Sequence, residues 1–129
     1  MGGGTYVYLA AAGSPTNPHT HVGRSRHPYR ALARYRLCHP DDWRMRLIVG
    51  PLRTDAQNFC DAWAATRKHR LVKRVSAAVE LARQYGAPAY ADDELIAELR
   101  WGARPPDPLP EAAAVAAAEA AAMDMVWAE

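Results

Sequence analysis

The sequence predicts an α+β domain: a small three-stranded antiparallel sheet flanked by helices, with a C-terminal helical extension. Short segments near the start alternate with the period of a strand, whereas longer segments later in the chain repeat apolar residues at helical spacing. The chain has 129 residues, 50% of them hydrophobic, which is enough for one domain with a modest core.

The first two strands are predicted to form a hairpin. Residues 5–11 alternate with period two and are rich in aromatic and β-branched residues, which favour strands. Residues 13–18 contain glycine, serine, asparagine and two prolines, a composition typical of a loop. We therefore expect the chain to return along His19 to Arg24 as an antiparallel second strand.

A helix and a third strand are predicted next. Pro28 suits the first turn of a helix, and the apolar residues after it recur at near-helical spacing. Residues 43–49 alternate again, which predicts a strand whose mostly apolar face carries Trp43, Met45, Leu47 and Val49. We expect Gly50-Pro51 to end this strand.

Three helices are predicted in the following part of the chain. Thr54 is a suitable N-cap for a helix over about residues 56–66. Gly86 is a suitable C-terminal stop for a second helix over about residues 72–85. A short amphipathic helix fits residues 92–101.

Changes in composition predict the domain organisation. We expect residues 1–101 to form the domain, with a helical extension from about residue 71. Residues 102–110 contain four prolines and are predicted to be a linker, because proline cannot continue a helix. Residues 111–129 are rich in alanine and acids and are predicted to form a helical tail.

The net charge of +2 hides a strong asymmetry between the two parts of the chain. Residues 1–75 carry 13 lysines and arginines against four acids, a local charge of +9. Residues 76–129 carry three arginines against ten acids, a local charge of −7. A basic segment of this size favours a polyanionic partner such as nucleic acid. The alternative is that the charges only solvate the surface or pair with each other.

The sequence also indicates a compartment. It contains no run of about 18 uncharged apolar residues and no signal peptide at its start, so we expect a soluble intracellular protein without membrane contact. Cys38 and Cys60 are too few for a disulfide framework and are expected to be reduced.

Four segments of the chain resemble one known family. They are Tyr6-Val7-Tyr8-Leu9, His21-Val22-Gly23, Trp43-Arg44-Met45-Arg46-Leu47-Ile48-Val49 and Phe59-Cys60-Asp61-Ala62-Trp63. In order and spacing these segments resemble the GIY-YIG nucleases, most closely the branch that cuts branched DNA. The resemblance covers about residues 5–70.

The resemblance implies a hydrolytic mechanism. In that family a tyrosine on each of the first two strands activates and orients water, an arginine on the first helix stabilises charge on the phosphate, and a glutamate on a later helix holds a divalent metal, usually Mg²⁺. Tyr8 matches the first tyrosine, and Gly23 matches the glycine after the second. The second tyrosine is His21, which can replace it as a general base near neutral pH.

Other family positions carry different residues in this chain. The family arginine falls on Ala31, with Arg30 beside it and Arg34 one helical turn on, and the histidine that often follows falls on Tyr35. These departures leave Arg30 and Arg34 as the candidates for the phosphate-binding arginine.

The metal-binding glutamate falls on Cys60, with Asp61 next in sequence. A thiolate prefers soft metals, so Asp61 is the candidate ligand for Mg²⁺. One step along a helix rotates the side chain by about 100°, however, which moves Asp61 away from the family position.

Two clusters of basic residues are candidates for binding nucleic acid. The first falls between the second strand and the first helix and contains Arg24, Arg26, Arg30, Arg34 and Arg36. The second contains Arg67, Lys68, Arg70, Lys73 and Arg74. Phosphate binding needs only such a positive surface and not a complete active site.

Several other side chains have a functional interpretation beside a structural one. A metal site could use His19 and His21 with His27, and a zinc site could use Cys38, His39, Cys60 and His69, although no Cys-x-x-Cys spacing is present. Aromatic residues at strand and helix spacings favour a role in the core over stacking on bases; these are Trp43, Phe59 and Trp63.

These observations lead to three hypotheses. The first is a GIY-YIG endonuclease-like protein that binds DNA, with phosphodiester hydrolysis altered or lost. The second is a Mg²⁺-dependent endonuclease that uses Tyr8 and His21, Arg30 or Arg34, and Asp61. The third is a catalytically inactive nuclease fold that binds a protein partner through the C-terminal tail.

Overall fold

The structure is a computed structural model that describes residues 4–14, 17–52, 56–98 and 106–109. The elements follow one another along the chain as β1 (Thr5–Ser14), β2 (Asn17–Ser25), α1 (Pro28–Cys38), β3 (Arg44–Leu52), α2 (Ala56–Ala64), α3 (Leu71–Gln84), β4 (Ala89–Ala91), α4 (Asp93–Glu98) and β5 (Asp107–Pro108). The predicted α+β class is confirmed.

The sheet is larger than the sequence predicts. It has five strands in the order β2-β1-β3-β4-β5, and its first four strands are antiparallel neighbours while β4 and β5 are parallel. The predicted three-stranded antiparallel sheet corresponds to β2-β1-β3 and is only part of it. β4 and β5 contain three and two residues, which is too short for an alternating pattern to be visible in the sequence.

β5 lies inside the segment predicted to be a linker. Pro106 is buried, and the backbone N–H of Leu109 donates a hydrogen bond to the carbonyl of Ala91 at 3.1 Å. Proline lacks an N–H and is tolerated beside a sheet mainly at an edge, which is where Pro108 lies. Asp107 and Pro108 are therefore part of the sheet, and Leu109 is bonded to its neighbouring strand.

Each face of the sheet packs against different helices. On one face Tyr8, Ala10 and Met45 form a buried cluster with Leu32 of α1, and we call this the α1 face. On the other face, which we call the α2/α3 face, α2 and α3 bury a larger cluster that includes Val7, Leu9, Leu47, Phe59, Trp63, Val75 and Val79. The sheet is thus covered by helices on both sides.

Because of two irregularities in β3, the predicted apolar face and the predicted end of this strand are wrong. Leu9 pairs with Leu47 but Ala10 pairs with Met45, so Arg46 is an extra residue and the register shifts. As a result Met45 lies on the α1 face and Leu47 lies on the α2/α3 face, although their spacing placed them together. A second shift lies near Gly50, and the strand continues to Leu52 instead of ending at Gly50-Pro51.

Arg46, the extra residue, connects β3 to α4. Its side chain is buried, and its Nε atom lies 2.6 Å from Asp92 Oδ2 in an ion pair. The other carboxylate oxygen of Asp92 accepts a hydrogen bond from the backbone N–H of Leu95 at 2.8 Å, which caps α4. Asp92 thereby neutralises a buried charge and satisfies a helix terminus at the same time.

The helix boundaries follow the local signals. α1 begins at Pro28, and Gly86 follows α3 with a φ of +68°, a conformation that favours glycine. The predicted cap at Thr54 and the predicted tail over residues 111–129 lie outside the described residues. Within the described ranges, no helix is long and apolar enough to cross a membrane.

The sequence places Arg74 in an exposed basic cluster, but its side chain is buried. Its side chain is only 8% exposed and donates a hydrogen bond from Nη1 to Thr20 Oγ1 at 2.8 Å. Its guanidinium carbon lies 5.6 Å from the centre of the Trp63 ring, and the Trp63 indole N–H donates to the Arg74 carbonyl at 2.8 Å. Burial lowers the pKa of Arg74, and nearby Arg67 adds to the effect. Arg74 therefore joins α3 to β2 and α2.

We expect Arg74→Ala to lower the free energy of unfolding by about 2 kcal/mol, because it removes a charged hydrogen bond and a cation–π contact. The measurement is urea unfolding. Arg83→Ala is the matched control, since Arg83 lies on the same helix in an exposed pair with Glu80 and its loss should change stability by less than about 0.5 kcal/mol. Equal stability losses in the two variants would contradict the structural role of Arg74.

Candidate functional site

The structure brings Tyr8 and His21 together on the α1 face. On the β1–β2 hairpin, Tyr8 lies opposite Gly23 and His21 lies opposite Ala10, so both side chains project from the same face. The Tyr8 hydroxyl lies 3.3 Å from His21 Nε2. The two residues predicted to occupy the family's two tyrosine positions are therefore in hydrogen-bond contact.

Gly23 provides the space that Tyr8 occupies. A Cβ atom at this position would lie 2.4 Å from both Cζ and Oη of Tyr8, closer than such atoms can approach. The phenol ring therefore lies directly across the Gly23 backbone. Any larger residue at position 23 must displace the ring from His21.

Burial favours the neutral forms of both groups. Desolvation raises the pKa of Tyr8, and the nearby Tyr35 adds to this shift. Desolvation also lowers the pKa of His21, and the nearby His39 adds to that shift. At neutral pH the Tyr8 hydroxyl can thus donate to a neutral His21 Nε2. A neutral imidazole can act as a base, but this nitrogen already has Tyr8 as its partner.

Three rings form a stack that runs from β2 to the end of α1. The ring centres of His21 and Tyr35 are 3.7 Å apart with an interplanar angle of 12°. Those of Tyr35 and His39 are 4.1 Å apart with an angle of 13°. We call His21, Tyr35 and His39 the ring stack. Its outer member, His39, is exposed.

Trp43 and Arg36 hold the ring stack in place. The Trp43 ring meets the Tyr35 ring edge-on at 5.2 Å, and its indole N–H donates to the His39 carbonyl at 3.0 Å. The Arg36 guanidinium donates to the Trp43 carbonyl from Nε at 3.1 Å and also from Nη2. Arg36, predicted to bind nucleic acid, thus has a structural contact as well.

The predicted catalytic arginines are at the surface of α1, and the position between them that faces the sheet is occupied by Ala31. Ala31, where the resemblance places the family arginine, packs against the cluster around Tyr8. Arg30 and Arg34 are exposed on α1. The side of α1 that faces the sheet therefore has alanine where the resemblance implies a guanidinium.

Asp61, the predicted metal ligand, lies on the other side of the sheet. It is exposed on α2, which packs on the α2/α3 face, and its Oδ1 accepts a hydrogen bond from Gln57 Nε2 at 2.8 Å. Burial raises the pKa of the neighbouring Cys60 thiol, an effect that Arg24 reduces and Asp61 reinforces. The sheet therefore separates Asp61 from Tyr8 and His21.

The described residues do not form a metal centre. Nowhere in these ranges do three or more histidine, cysteine, aspartate or glutamate side chains come together in a group that could hold a metal ion. Cys38 is exposed on α1, whereas Cys60 is half-buried on α2 across the sheet. His19 and His21 share a strand face as predicted, but His21 is engaged by Tyr8 and Tyr35.

Seven of the exposed basic residues form two surfaces. Arg26, Arg30 and Arg34 run from the β2–α1 connection along α1, a helix without acidic residues, and we call them the arginine surface. Within the described ranges, Arg26 and Arg34 make no ion pair. The second surface is associated with the α2/α3 face and contains the exposed residues Arg24, Arg67, Lys68 and Arg70.

The sequence motifs do not indicate that His39 stacks on Tyr35. Its spacing of four residues from Tyr35 is the available signal, because such residues lie on one side of a helix. The core interpretation of the large aromatic residues is confirmed, since Phe59 and Trp63 are 0% and 2% exposed and Trp43 is 7% exposed.

Comparisons of the chain with protein-family models, with characterised proteins and with solved structures found no match. The resemblance to the GIY-YIG nucleases stays a prediction from the sequence motifs.

We expect Gly23→Ala to lower the free energy of unfolding by about 1–3 kcal/mol, because the added methyl group overlaps the Tyr8 ring. The measurement is a double-mutant cycle with Tyr8→Ala, which removes the ring. In that background Gly23→Ala should cost little or stabilise the strand, since glycine is unfavourable there. If the stability losses of the two single variants add up to that of the double variant, the Tyr8 ring is not what excludes a larger side chain at position 23.

Stability should depend on the protonation of His21. Its pKa is about 6.5 in the unfolded chain and lower in the folded protein, so the unfolded chain binds more protons between these two values. The free energy of unfolding should therefore be highest above about pH 6.5, fall as the pH drops below it, and level off below the folded pKa.

The measurement compares wild type with His21→Gln by urea unfolding at several pH values. Glutamine can still accept the Tyr8 hydrogen bond but does not titrate. The variant should lose less stability than wild type as the pH falls. An identical pH dependence in the two proteins would rule out His21 as the titrating group.

Proposed function

We propose that this protein binds DNA through the arginine surface, as a GIY-YIG endonuclease-like protein in which phosphodiester hydrolysis is altered or lost. The observation that carries the proposal is the exposure of Arg26, Arg30 and Arg34 along an acid-free helix and its entry loop. Clustered guanidinium groups bind phosphates and release the counterions that surround DNA. The charge of +9 in residues 1–75 supports the same partner.

Phosphate contacts are sufficient for this binding. They set the register and orientation of a protein on DNA without reading its sequence. Arg30 and Arg34 are four residues apart, so they share one side of α1 and can reach neighbouring phosphates. The arginine surface therefore favours binding that depends on charge and shape.

The residues around Tyr8 support the altered or lost hydrolysis. Ala31 faces this cluster in place of an arginine, and the His21 nitrogen that could accept a proton is bonded to Tyr8. Asp61, the predicted Mg²⁺ ligand, is carried by a helix on the opposite face of the sheet, and in the described ranges no three potential metal ligands come together. The Tyr8–His21 pair is accordingly proposed as the remnant of a catalytic arrangement.

The test measures the affinity for labelled duplex and branched DNA over a range of salt concentrations. Arg30→Ala combined with Arg34→Ala should weaken binding and reduce the slope of log K against log salt by up to about 2, one phosphate for each arginine. Arg83→Ala, which removes an arginine already paired with Glu80, should leave the slope close to that of wild type. Unchanged affinity in the double variant would reject the arginine surface as the binding site.

Cleavage is measured in the same samples with Mg²⁺, Mn²⁺ or a chelator. We expect binding without metal-dependent cutting. Nicking that requires metal and disappears in Tyr8→Phe would instead favour an active endonuclease with a rearranged site. The absence of both binding and cutting would favour the protein-interaction hypothesis.

A further inference from the structure

We propose that the outer face of His39 is a stacking platform for an unpaired nucleobase, so that the preferred ligand is DNA with an unpaired nucleotide. This inference rests on the proposed function and specifies the class of DNA. It is carried by the geometry of the ring stack at the end of α1. Stacking on aromatic rings is a general way of binding unpaired bases, because every base has a π face.

The ring stack has the spacing and alignment of stacked bases. Its two steps of 3.7 Å and 4.1 Å are close to the rise of about 3.4 Å between bases along a DNA strand. Its planes differ by only 12° and 13°. A base placed on His39 would continue this stack as a fourth ring.

His39 is the open end of the stack. His21, at the other end, is half-buried and bonded to Tyr8, whereas His39 is exposed. Among the described residues, Tyr35 is the one ring that stacks on His39. The opposite face of the imidazole is therefore the face that a ligand can reach.

Hydrogen bonds position both the backbone and the ring of His39 before any ligand binds, and the ring Nδ1 lies 3.3 Å from the Tyr35 carbonyl. The backbone N–H of His39 donates to the Tyr35 carbonyl at 2.9 Å, and the His39 carbonyl accepts from the Trp43 indole at 3.0 Å. The Arg36 guanidinium in turn donates hydrogen bonds to the Trp43 carbonyl. A base that stacks on an ordered ring loses less free energy to the ordering of side chains than one that must organise a mobile ring.

The platform and the arginine surface belong to the same helix. His39 directly follows the last residue of α1, and Arg34 lies five residues earlier, about 7.5 Å along the helix axis. The phosphates of a strand whose end base stacks on His39 can therefore pass along the helix that carries the arginines. A fully paired duplex offers phosphates to the same arginines but no free base to His39.

The experiment compares two DNA probes that contain 2-aminopurine, a base whose fluorescence falls on stacking. In one probe this base is unpaired in a short single-stranded overhang, and in the other it is paired within a duplex. Wild type should bind the overhang probe more tightly and quench its fluorescence. His39→Ala should weaken overhang binding about fivefold or more and reduce the quenching, with duplex affinity unchanged.

Two further variants make the result specific. His39→Phe keeps a flat ring and should retain the preference for the overhang. His69→Ala removes an exposed histidine from the α2–α3 connection and should behave as wild type. The His39 carbonyl that binds Trp43 belongs to the backbone, so these substitutions at position 39 keep that contact.

The outcomes separate this inference from the proposed function. If wild type binds DNA but His39→Ala keeps the overhang preference and the quenching, the platform is rejected and the DNA-binding proposal stands. If His39→Ala weakens both probes equally, His39 is not a base platform. If wild type binds neither probe at low salt, the proposed function fails and the platform fails with it.

Discussion

Burial of β1 on both faces is the constraint on which the rest of the structure depends. Val7 and Leu9 are fully buried under α2 and α3, whereas Tyr8 and Ala10 are buried on the α1 face. Because side chains alternate along a strand, a shift of one residue would exchange these two sets. The same register that closes the hydrophobic core therefore places Tyr8 opposite Gly23.

On the α1 face, the partly buried polar pair of Tyr8 and His21 is neutral, whereas the arginines of α1 and its entry loop lie at the surface. Burial raises the pKa of Tyr8 and lowers the pKa of His21, which favours the neutral form of each, so their hydrogen bond brings no net charge into the α1 face. The guanidinium groups of Arg26 and Arg34 remain exposed. On this side of the molecule the charged groups therefore lie at the surface, and the ring stack runs from the half-buried His21 to the exposed His39.

Part of this site could be predicted from the sequence. Tyr8 and His21 could be placed together because a hairpin with a short loop brings its two strands side by side. The position of Asp61 could not be predicted, since a helical pattern does not say which face of the sheet a helix covers. The stacking of Tyr35 on His21 could not be predicted either, because it depends on how α1 packs across β2.

By itself, the sequence determined the elements whose signals are local, such as the start of α1 at Pro28 and the end of α3 before Gly86. Only the tertiary structure decided the register shift at Arg46, the pairing of β4 and β5, and the layer to which each helix belongs. Caps and turns depend on residues adjacent in the chain. Register and layer depend on contacts between segments far apart in sequence, and such contacts form only when the whole core is packed.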